Sequence, residues 1–503
     1  MGDISIDLLN NIGYGFSLAV EPIRLFMCLI GVSVGTFIGV LPGIGPSATI
    51  AILLPIGFQM DPTTGIIFLA GIYYGAMYGG SITSILINIP GESASVVTCL
   101  DGYQMAKQGK AGPALGISAF GSFIGGTISV AGLMLVAPPL AEFALKFGPP
   151  EHFTLILCGF SILIYVGSGS VLKAVIMGLV GVFLGEIGTD LITGQERFTF
   201  GIQTLMDGIP MVPMIMGLFG IPEILENFEK EILKRDIYKT AISNLLPDLE
   251  DWKASLRPIF RGTILGFFLG LLPGGGGTLA SFASYALEKK ISKHPERFGK
   301  GAIEGVAAPE TANNSATGSA FVPMLTLGLP TNPVTAMIIA ALLSYGVQPG
   351  PLLITKSPDV FWGVIISMYI GNALLLVLNI PLIGIWVRML KIRYAVLFPL
   401  ILLFCLIGSY SAAGNYQDVI IMIFFGVFGY LVRKFEFEPA PLVFAFILTP
   451  LIERAFRQSL IFSHGSFWIF FRPPIALIFM ITSIILFALM FLPFVKRVLL
   501  KNS

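Results

Sequence analysis

The sequence predicts an all-α polytopic membrane protein of about 10–12 transmembrane helices, with re-entrant or broken helices in addition. It also predicts two homologous halves. Three observations support this fold class: an apolar composition, a recurrence of long apolar stretches, and a pattern of glycines and prolines that occurs twice along the chain.

Composition places the chain in a membrane. Of its 503 residues, 55% are hydrophobic and 12% are charged, and the mean hydropathy is +0.86. Soluble domains are about 25% charged, so a water-soluble core could not hide this much apolar surface. Several apolar stretches are long enough for a bilayer-spanning helix of about 20 residues. The stretches are 25–41, 64–78, 115–138, 153–166, 171–185, 360–387, 396–407, 419–432 and 475–495.

A charged segment near the middle divides the chain. Residues 225–261 hold seven acidic and seven basic side chains, which predicts an aqueous connector. We therefore expect a first transmembrane repeat over residues 1–224 and a second over residues 262–503.

A glycine-ridged helix that ends at a Pro-Gly break occurs once in each half. The two motifs are GVSVGTFIGVLPGIG, from Gly31, and GTILGFFLGLLPGGG, from Gly262. The residues that recur 231 positions later are Gly31, Gly35, Gly39, Leu41, Pro42, Gly43 and Gly45. A weaker pair of breaks, NIPGES at 88–93 and GLPTNP at 328–333, lies 240 positions apart. This internal repeat predicts that both halves have the same order of helices and breaks.

The breaks predict a binding site. Glycine at every fourth position gives a helix a flat face that a second helix can approach closely. A broken backbone in the apolar zone is tolerated only where it is buried in protein or faces a watery cavity. Interruptions at matching positions of two halves point to the binding site of a transporter. The alternative is a set of kinked, tightly packed helices without a ligand.

The chemistry of the breaks favours an anion. Glycines before a helix start leave backbone N–H groups unpaired, at the positive end of the helix dipole. Thr278 follows Gly277 directly, without the lysine of a phosphate loop, so we expect a carboxylate or small oxyanion. The candidate substrate-binding residues are Gly43, Ile44, Gly45, Pro46, Ser47, Asn88, Pro90, Gly91, Glu92, Ser93, Gly274, Gly275, Gly276, Gly277, Thr278, Asn313, Asn314, Pro330, Thr331 and Asn332.

A polar segment, APETANNSATGS at 308–319, interrupts the second half. Polar groups are costly in a bilayer, so this segment predicts a wall of the substrate or cation site. The alternative is helix packing through small residues with satisfied amides. The candidate cation-coupling residues are Glu310, Asn313, Ser315 and Thr317, and backbone carbonyls released at the breaks could also coordinate Na⁺. Glu310 is expected either to carry a cation or proton, or to cap the start of a helix.

Three further expectations concern isolated polar residues. The tyrosines of GIYYGAMYGG, at 71–80, are expected to pack rather than bind a ligand. Asp101 is expected to begin a solvent-side turn. The loop that contains Asp190, Glu196 and Arg197 is expected to be interfacial and held by an ion pair.

Signatures of other function classes are missing. The three histidines are scattered, and the sequence contains no HExxH, G-x-S-x-G or ATPase motif. We therefore expect no enzymatic activity, no bound metal, and no cofactor beyond a coupling cation, Na⁺ or H⁺. A net charge of +1 predicts no nucleic-acid partner. The four cysteines are expected to be free thiols.

Basic residues suggest an orientation. They cluster around 107–110, 289–300 and 388–393, and basic loops are usually cytoplasmic. The first cluster follows the second break of its half, whereas the middle cluster precedes the second break of its half. This order favours inverted halves over parallel ones.

Three long motifs resemble one known family. LPGGGGTLASFASYALEKKISKHPERFGKGAIEGVAAPETANNSATGSAFVPMLTLGLP (272–330), GVLPGIGPSATIAILLP (39–55) and NIPGESASVVTCLDGYQMAKQGKAG (88–112) resemble the large membrane subunit of the tripartite tricarboxylate transporters. The likeness covers nearly the whole chain. Where the family usually has Pro-Gly-Ser after the second break, this chain has Pro330-Thr331-Asn332, at a tip expected to touch the substrate.

The resemblance implies a multi-pass carrier of the bacterial inner membrane. It would work with a small four-helix membrane subunit, and a periplasmic binding protein would deliver citrate or another carboxylate. A Na⁺ or H⁺ gradient would drive uptake. The alternatives are a small-anion channel, a carrier that needs no binding protein, an intramembrane enzyme, and a scaffold without a transport role.

Overall fold

The structure is a computed structural model, and it describes residues 2–41, 45–166, 170–190, 192–229, 245–389 and 394–501. Its helices are α1 (Gly2–Ala19), α2 (Pro22–Val40), α3 (Pro46–Gly57), α4 (Pro62–Ile87), α5 (Val96–Lys107), α6 (Ala111–Ala144), α7 (Pro149–Val166), α8 (Val171–Gly185), α9 (Met211–Ile215), α10 (Ile221–Glu229), α11 (Leu249–Gly270), α12 (Gly276–Ile291), α13 (Glu304–Ser319), α14 (Phe321–Leu327), α15 (Pro333–Ser344), α16 (Leu353–Lys356), α17 (Pro358–Asn379), α18 (Ile383–Met389), α19 (Tyr394–Ala413), α20 (Tyr416–Lys434), α21 (Ala440–Phe462) and α22 (Pro474–Lys501).

Other regular structure is scarce. A π-helical turn, Met216–Gly220, joins α9 to α10, and 3₁₀ turns occupy Ser93–Ser95, Gln203–Leu205, Pro295–Arg297 and Phe467–Phe470. Strands β1 (Gly188–Thr189) and β2 (Glu196–Arg197) form a short antiparallel pair.

The predicted all-α polytopic fold is confirmed. Within the described ranges, six helices are long and apolar enough to cross a membrane: α2, α4, α6, α7, α17 and α20. Helix α4 is the most enclosed of the six, because its whole apolar window is buried inside the protein. A spanning helix surrounded by protein needs no lipid-facing side, which places α4 at the centre of the helical assembly.

The glycine ridges pack as the sequence predicts. Along α2, a β-carbon at Gly31, Gly35 or Gly39 would collide with the backbone of α4 at Phe68, Ile72 or Ala76. Both members of each pair advance by four residues at a time, so α2 and α4 run parallel with their backbones in contact. Short helix α3 must therefore lead the chain back from the break after α2 to the start of α4.

The second half repeats this arrangement. Along α11, a β-carbon at Gly262, Gly266 or Gly270 would collide with the α13 backbone at Ala308, Ala312 or Ala316. Each contact has a counterpart in the first half. The residue numbers on α11 are 231 higher than those on α2, and the residue numbers on α13 are 240 higher than those on α4. The sequence repeat is therefore also a structural repeat, and α12 is the counterpart of α3.

The second breaks also match residue by residue. Helix α4 ends at Asn88, which has a left-handed conformation with φ 57°, and α14 ends at Gly328 with φ 67°. Four residues after each of these, a side chain caps the next turn: Glu92 in the first half and Asn332 in the second. Both form capping boxes with the third residue that follows.

The central helices of the two halves run antiparallel. The ring of Tyr73 on α4 lies 6.3 Å from that of Phe321 at the start of α14. Further along α4, Ser81 donates a hydrogen bond to Glu310, which lies earlier on α13. Advancing along one helix therefore means moving back along the other.

The charged connector is described only in part, because residues 230–244 lie outside the described ranges. Helix α11 begins at Leu249, where Asp248 caps it by accepting hydrogen bonds of 2.8 Å from the amides of Glu250 and Asp251. The predicted end of the connector at residue 261 therefore lies inside α11, which continues into the glycine ridge without interruption.

Candidate functional site

The breaks of each half lie against one another. In the second half, the amide of Gly274 donates a 2.8 Å hydrogen bond to the carbonyl of Thr331. In the first half, a β-carbon at Gly91 would collide with the carbonyl of Gly39. The end of the glycine-ridged helix and the later break of each half therefore form one corner.

Each corner contacts the central helix of the other half, through a pair of exchanged contacts. Asn332 Nδ2 donates a 2.9 Å hydrogen bond to the hydroxyl of Tyr73, and Asn313 Nδ2 lies 3.4 Å from Glu92 Oε1. Asn313 and Asn332 stand 240 residues after Tyr73 and Glu92. Each half thus offers the same two positions to the other half, as a two-fold relationship requires. A third contact, 2.8 Å between the hydroxyls of Ser93 and Thr278, also joins the halves.

The helix start at the second corner has fewer free amides than predicted. The amides of Gly274 and Gly275 already donate to the carbonyls of Thr331 and Leu272, so the prediction of unpaired N–H groups was wrong for these two residues. These amides find carbonyl acceptors because the loop turns back immediately after α11, with φ 78° at Gly274. The amides of Gly276, Gly277 and Thr278 belong to the first turn of α12, where no intrahelical acceptor exists.

The first corner is described only in part. Pro42, Gly43 and Ile44 lie outside the described residues. Gly45 is extended and precedes α3, which Pro46 begins. Gly45, Pro46 and Ser47 are half-buried. We see no side-chain hydrogen bond from these three to another corner in the part of the chain described.

Glu92 is buried at the meeting point of the two halves. Its Oε2 accepts a 2.5 Å hydrogen bond from the amide of Ala94, its carboxylate also caps the backbone of Ser95, and its Oε1 lies 3.4 Å from Asn313 Nδ2. The described residues place no basic side chain in an ion pair with it. The following residue, Ser93, is exposed.

Glu310 occupies a cage of hydroxyl groups. It is 1% exposed, Ser81 donates to Oε2, and Thr98 donates to Oε1. No ion pair to Glu310 occurs in the described ranges. It lies in the second turn of α13, so the alternative of a helix-capping carboxylate is wrong.

The rest of the polar segment serves helix packing to a large extent. Asn314 Nδ2 donates to Ser122 on α6 at 2.8 Å, and the hydroxyl of Ser315 donates to the carbonyl of Thr263 at 2.7 Å. The hydroxyl of Thr317 donates to the carbonyl of Asn313. The structure therefore brings Asn313 to the corners and turns Asn314 and Ser315 towards neighbouring helices.

Tyr73 and Thr98 are site residues that the sequence analysis missed. Tyr73 bonds Asn332, and Thr98 bonds Glu310. The repeat held a signal for Tyr73, since it lies 240 residues before Asn313. No comparable signal marks Thr98, which is an ordinary helical threonine.

Asp101 does not begin a solvent-side turn, and that prediction was wrong. It is fully buried within α5. Its Oδ1 accepts hydrogen bonds of 2.8 Å from the amides of Gly299, Gly301 and Ala302, and its Oδ2 accepts one of 2.9 Å from Tyr285. The side chain thus binds the loop before α13 to α5. As a result, the basic clusters at 107–110 and 289–300 lie side by side, and Gln108 contacts the Lys300 carbonyl at 2.7 Å.

The corners are open towards one end of the molecule. Asn88 and Ser93 are exposed, whereas Gly328 and Pro330 at the equivalent break are buried. Helices α12 and α3 also differ in how exposed they are. Phe282 on α12 is 48% exposed, whereas α3 is covered by α15, α19 and the π-helical turn. The open side is the one where α5 and α12 end, beside the basic clusters.

A polar loop lies apart from the corners. As predicted, Arg197 pairs with Asp190, and Arg457 adds a second ion pair of 2.8 Å to the same carboxylate. Glu196 instead accepts a hydrogen bond from Thr199. Backbone hydrogen bonds, first from Thr193 and then from Ile192, together with the two arginines, hold the pKa of Asp190 well below its usual range.

Comparison with known proteins gives a family match. The sequence profile described as the tripartite tricarboxylate transporter TctA family matches residues 25–444. An uncharacterized 52.8 kDa protein of the TAR-I ttuC' 3' region of Agrobacterium vitis is 52% identical over 94% of each chain.

Two other relatives cover less of this chain. A protein of the TAR-II ttuC' 3' region of the same organism is 53% identical over 42% of this chain and 87% of its own. The uncharacterized protein MJ1079 of Methanocaldococcus jannaschii is 24% identical over 52% of this chain and 60% of its own. No solved structure matches this chain.

Proposed function

Because the chain belongs to the tripartite tricarboxylate transporter TctA family, we propose that it is the large membrane subunit of a secondary carrier for a di- or tricarboxylate such as citrate. It lies in the bacterial inner membrane and works with a small four-helix membrane subunit. A periplasmic binding protein delivers the substrate, and a Na⁺ or H⁺ gradient drives uptake.

The exchanged contacts between the halves carry this proposal. Tyr73 with Asn332, and Glu92 with Asn313, place the later break of each half against the central helix of the other half. Broken helices that converge from two repeats are the feature by which many carriers build a substrate site near the bilayer midplane. A packing role alone would not require the later breaks of both halves to meet the other half in this reciprocal way.

The substrate carboxylates bind the polar groups that line the open side of the corners. These are the free amides at the start of α12, the hydroxyls of Ser93 and Thr278, and the amide of Asn332. The positive end of the α12 dipole adds to the attraction for an anion. By the repeat, the first corner contributes Gly45, Pro46 and Ser47, together with Gly43 and Ile44, which lie outside the described residues.

The halves form inverted repeats in the membrane. The antiparallel course of α4 and α13 supports this arrangement, because parallel repeats would place those helices in the same direction. The neighbouring basic clusters at 107–110 and 289–300 support it as well, because both then face the cytoplasm. The open side of the corners is the cytoplasmic side in this orientation.

Transport alternates between two states in which the two halves exchange their conformations. That α3 is covered and α12 exposed supports a state in which the site faces the cytoplasm. Covering α12 and uncovering α3 gives the state that faces the periplasm. The coupling cation is held on the polar segment of α13, where Glu310, Asn313, Ser315 and Thr317 were predicted to couple it.

Transport by proteoliposomes tests the proposal. The chain and its four-helix subunit are reconstituted, and uptake of labelled citrate is measured under an imposed Na⁺ or H⁺ gradient, with the binding protein present or omitted. We expect saturable uptake that needs both the gradient and the binding protein. Unsaturable flux down the citrate gradient would identify an anion channel instead. Saturable uptake without the binding protein would identify a stand-alone carrier.

A further inference from the structure

The loop that joins α8 to α9, residues 186–210, exposes aromatic side chains and buries charged ones. Phe198 is 48% exposed and Phe200 is 82% exposed. Thr199, between them, is buried and donates its hydroxyl to Glu196. Asp190 is also buried, in ion pairs with two arginines. A surface that faces water usually has the opposite distribution, so the side of the loop that carries the two rings faces an apolar medium.

The backbone is strained at both phenylalanines. Phe198 has φ 53° and Phe200 has φ 52°, in the left-handed region that residues with a β-carbon rarely adopt. Next to Phe198, Arg197 pairs with Glu453 on α21 at 3.0 Å, which fixes the loop against that helix. Strain of this kind persists only where the surrounding structure imposes it, and it concentrates at functional positions. Here it holds two large apolar rings on the outside of the loop.

Phe198 continues the outward-facing side of α8. The exposed large apolar residues of this helix share one face, and they are Leu172, Ile176, Leu179, Val182 and Phe183. The ring of Phe198 lies 5.1 Å from that of Phe183. An exposed, uniformly apolar face on a helix of a membrane protein contacts lipid. The lipid-facing surface therefore extends from α8 onto the loop.

Helix α8 is too short to carry the loop clear of the membrane. Its 15 residues rise about 22 Å, whereas the hydrocarbon core of a bilayer is about 30 Å thick. Lys173, in the first turn, pairs with Glu436 and marks the polar boundary at the start of the helix. The chain that follows Gly185 therefore lies at the opposite membrane interface. Gln195, at the tip of the loop, is exposed and keeps that tip on the water side.

A second aromatic segment lies at the same end of α21. Arg457 pairs with Asp190 of the loop, and the ring of the preceding residue, Phe456, lies 6.2 Å from that of Phe467. Phe467 is exposed, and Trp468 beside it is 68% exposed. Tryptophan is enriched at membrane interfaces because its ring is apolar and its indole N–H is polar.

We propose that Phe198, Phe200 and Trp468 insert into the boundary between the lipid headgroups and the acyl chains. The α8–α9 loop is then a membrane-binding segment rather than a free extramembrane loop. The bilayer is the partner, because the aromatic side of the loop continues a lipid-facing helix. The ion pairs from the loop to Glu453 and Arg457 hold α21 at the same depth as α8. This role is separate from the proposed carrier function.

Fluorescence of the full-length chain in reconstituted bilayers tests the proposal. Trp468→Phe removes the exposed tryptophan, and the other three are buried or half-buried. Phe200→Trp in that background keeps an aromatic ring on the loop and supplies a probe. We expect lipids brominated near the headgroup end of their acyl chains to remove most of the added emission, whereas aqueous iodide has little effect. Gln195→Trp in the same background is the matched control, and iodide rather than lipid should quench it.

Quenching of the Phe200→Trp emission by iodide but not by brominated lipid would overturn the proposal. Protection from iodide that appears only when the four-helix subunit or the binding protein is added would overturn it too, because the contact would then be with protein. Stronger quenching by lipids brominated at the chain end would reject the interfacial depth. If Phe200→Trp does not fold, native Trp468 decides, measured as wild type minus Trp468→Phe: equal emission in brominated and ordinary bilayers overturns the proposal. No transport is measured, so failure of the carrier function leaves this test unaffected.

Discussion

The amide oxygen of Asn313 occupies the space that a β-carbon at Gly277 would need. One residue lies on α13 and the other in the first turn of α12, so the contact fixes the tip of α12 against the polar segment. Any side chain at 277 must displace Asn313 from its place beside Glu92.

Gly277→Ala is therefore expected to reduce citrate uptake by proteoliposomes about 5- to 150-fold, the range that corresponds to overpacking by about 1–3 kcal/mol. Gly384→Ala on α18 is the matched control. A β-carbon at Gly384 meets no atom within 4 Å, and this variant should keep nearly full uptake. Equal loss in both variants, at equal amounts of protein in the vesicles, would show that the Asn313 contact is irrelevant.

Tyr73→Phe should weaken citrate binding about fivefold, measured by calorimetry. The hydroxyl of Tyr73 accepts the hydrogen bond that orients Asn332, and one such bond contributes about 1 kcal/mol. Tyr78→Phe is a suitable comparison, because it removes a tyrosine hydroxyl bonded to Asn372 at 3.1 Å rather than to a corner residue. A weaker affinity in the Tyr78 variant alone would speak against Asn332 as a substrate ligand.

Much of the fold was predictable because the residues that recur in the two halves are mostly glycine and proline. The ridges of α2 and α11 need glycine for backbone contact with α4 and α13, and no other residue serves there. The breaks at Asn88 and Gly328 were visible for the same reason. Fold class and matched breaks therefore followed from the sequence alone.

The partners of individual polar side chains were not predictable. Asp101 binds amides about 200 residues further along the chain, and no local pattern marks such a contact. Asn313 and Asn314 are neighbours in sequence, yet helical geometry turns one towards the corners and the other towards α6. Such choices depend on helix rotation and register, which apolar periodicity cannot fix in a segment of small polar residues.

Asp101→Ala should release the basic loop before α13. The substitution leaves three backbone amides without their acceptor. The amide of Ala302 is buried, and leaving one buried donor unpaired costs about 1–3 kcal/mol. Trypsin should then cut between Lys289 and Lys300 at least tenfold faster in the purified protein. Glu296→Ala in the same loop should have no effect, because Glu296 is exposed and pairs only with exposed His294 among the described residues. Unchanged cleavage in the Asp101 variant would refute the role of this side chain.

Acid should destabilise the loop that contains Asp190. Its pKa is lowered in the folded state, so the stabilisation is complete above the unfolded pKa of about 3.9 and is lost as pH falls below it. Unfolding midpoints measured from pH 7 to pH 3 should drop steeply below about pH 4 in the wild type. Asp190→Asn should have a lower midpoint at pH 7 and a shallower acid limb. Asp207→Asn, an exposed change nearby, should follow the wild type, and an Asp190 variant with the wild-type acid limb would disprove the assignment.

An electron cryo-microscopy map of the complex with citrate bound is the most direct test of the central claim. The account predicts citrate density between the Ser93 hydroxyl and the first turn of α12. Citrate bound more than one helix turn away from both corners, at a site that none of the four breaks lines, would contradict it.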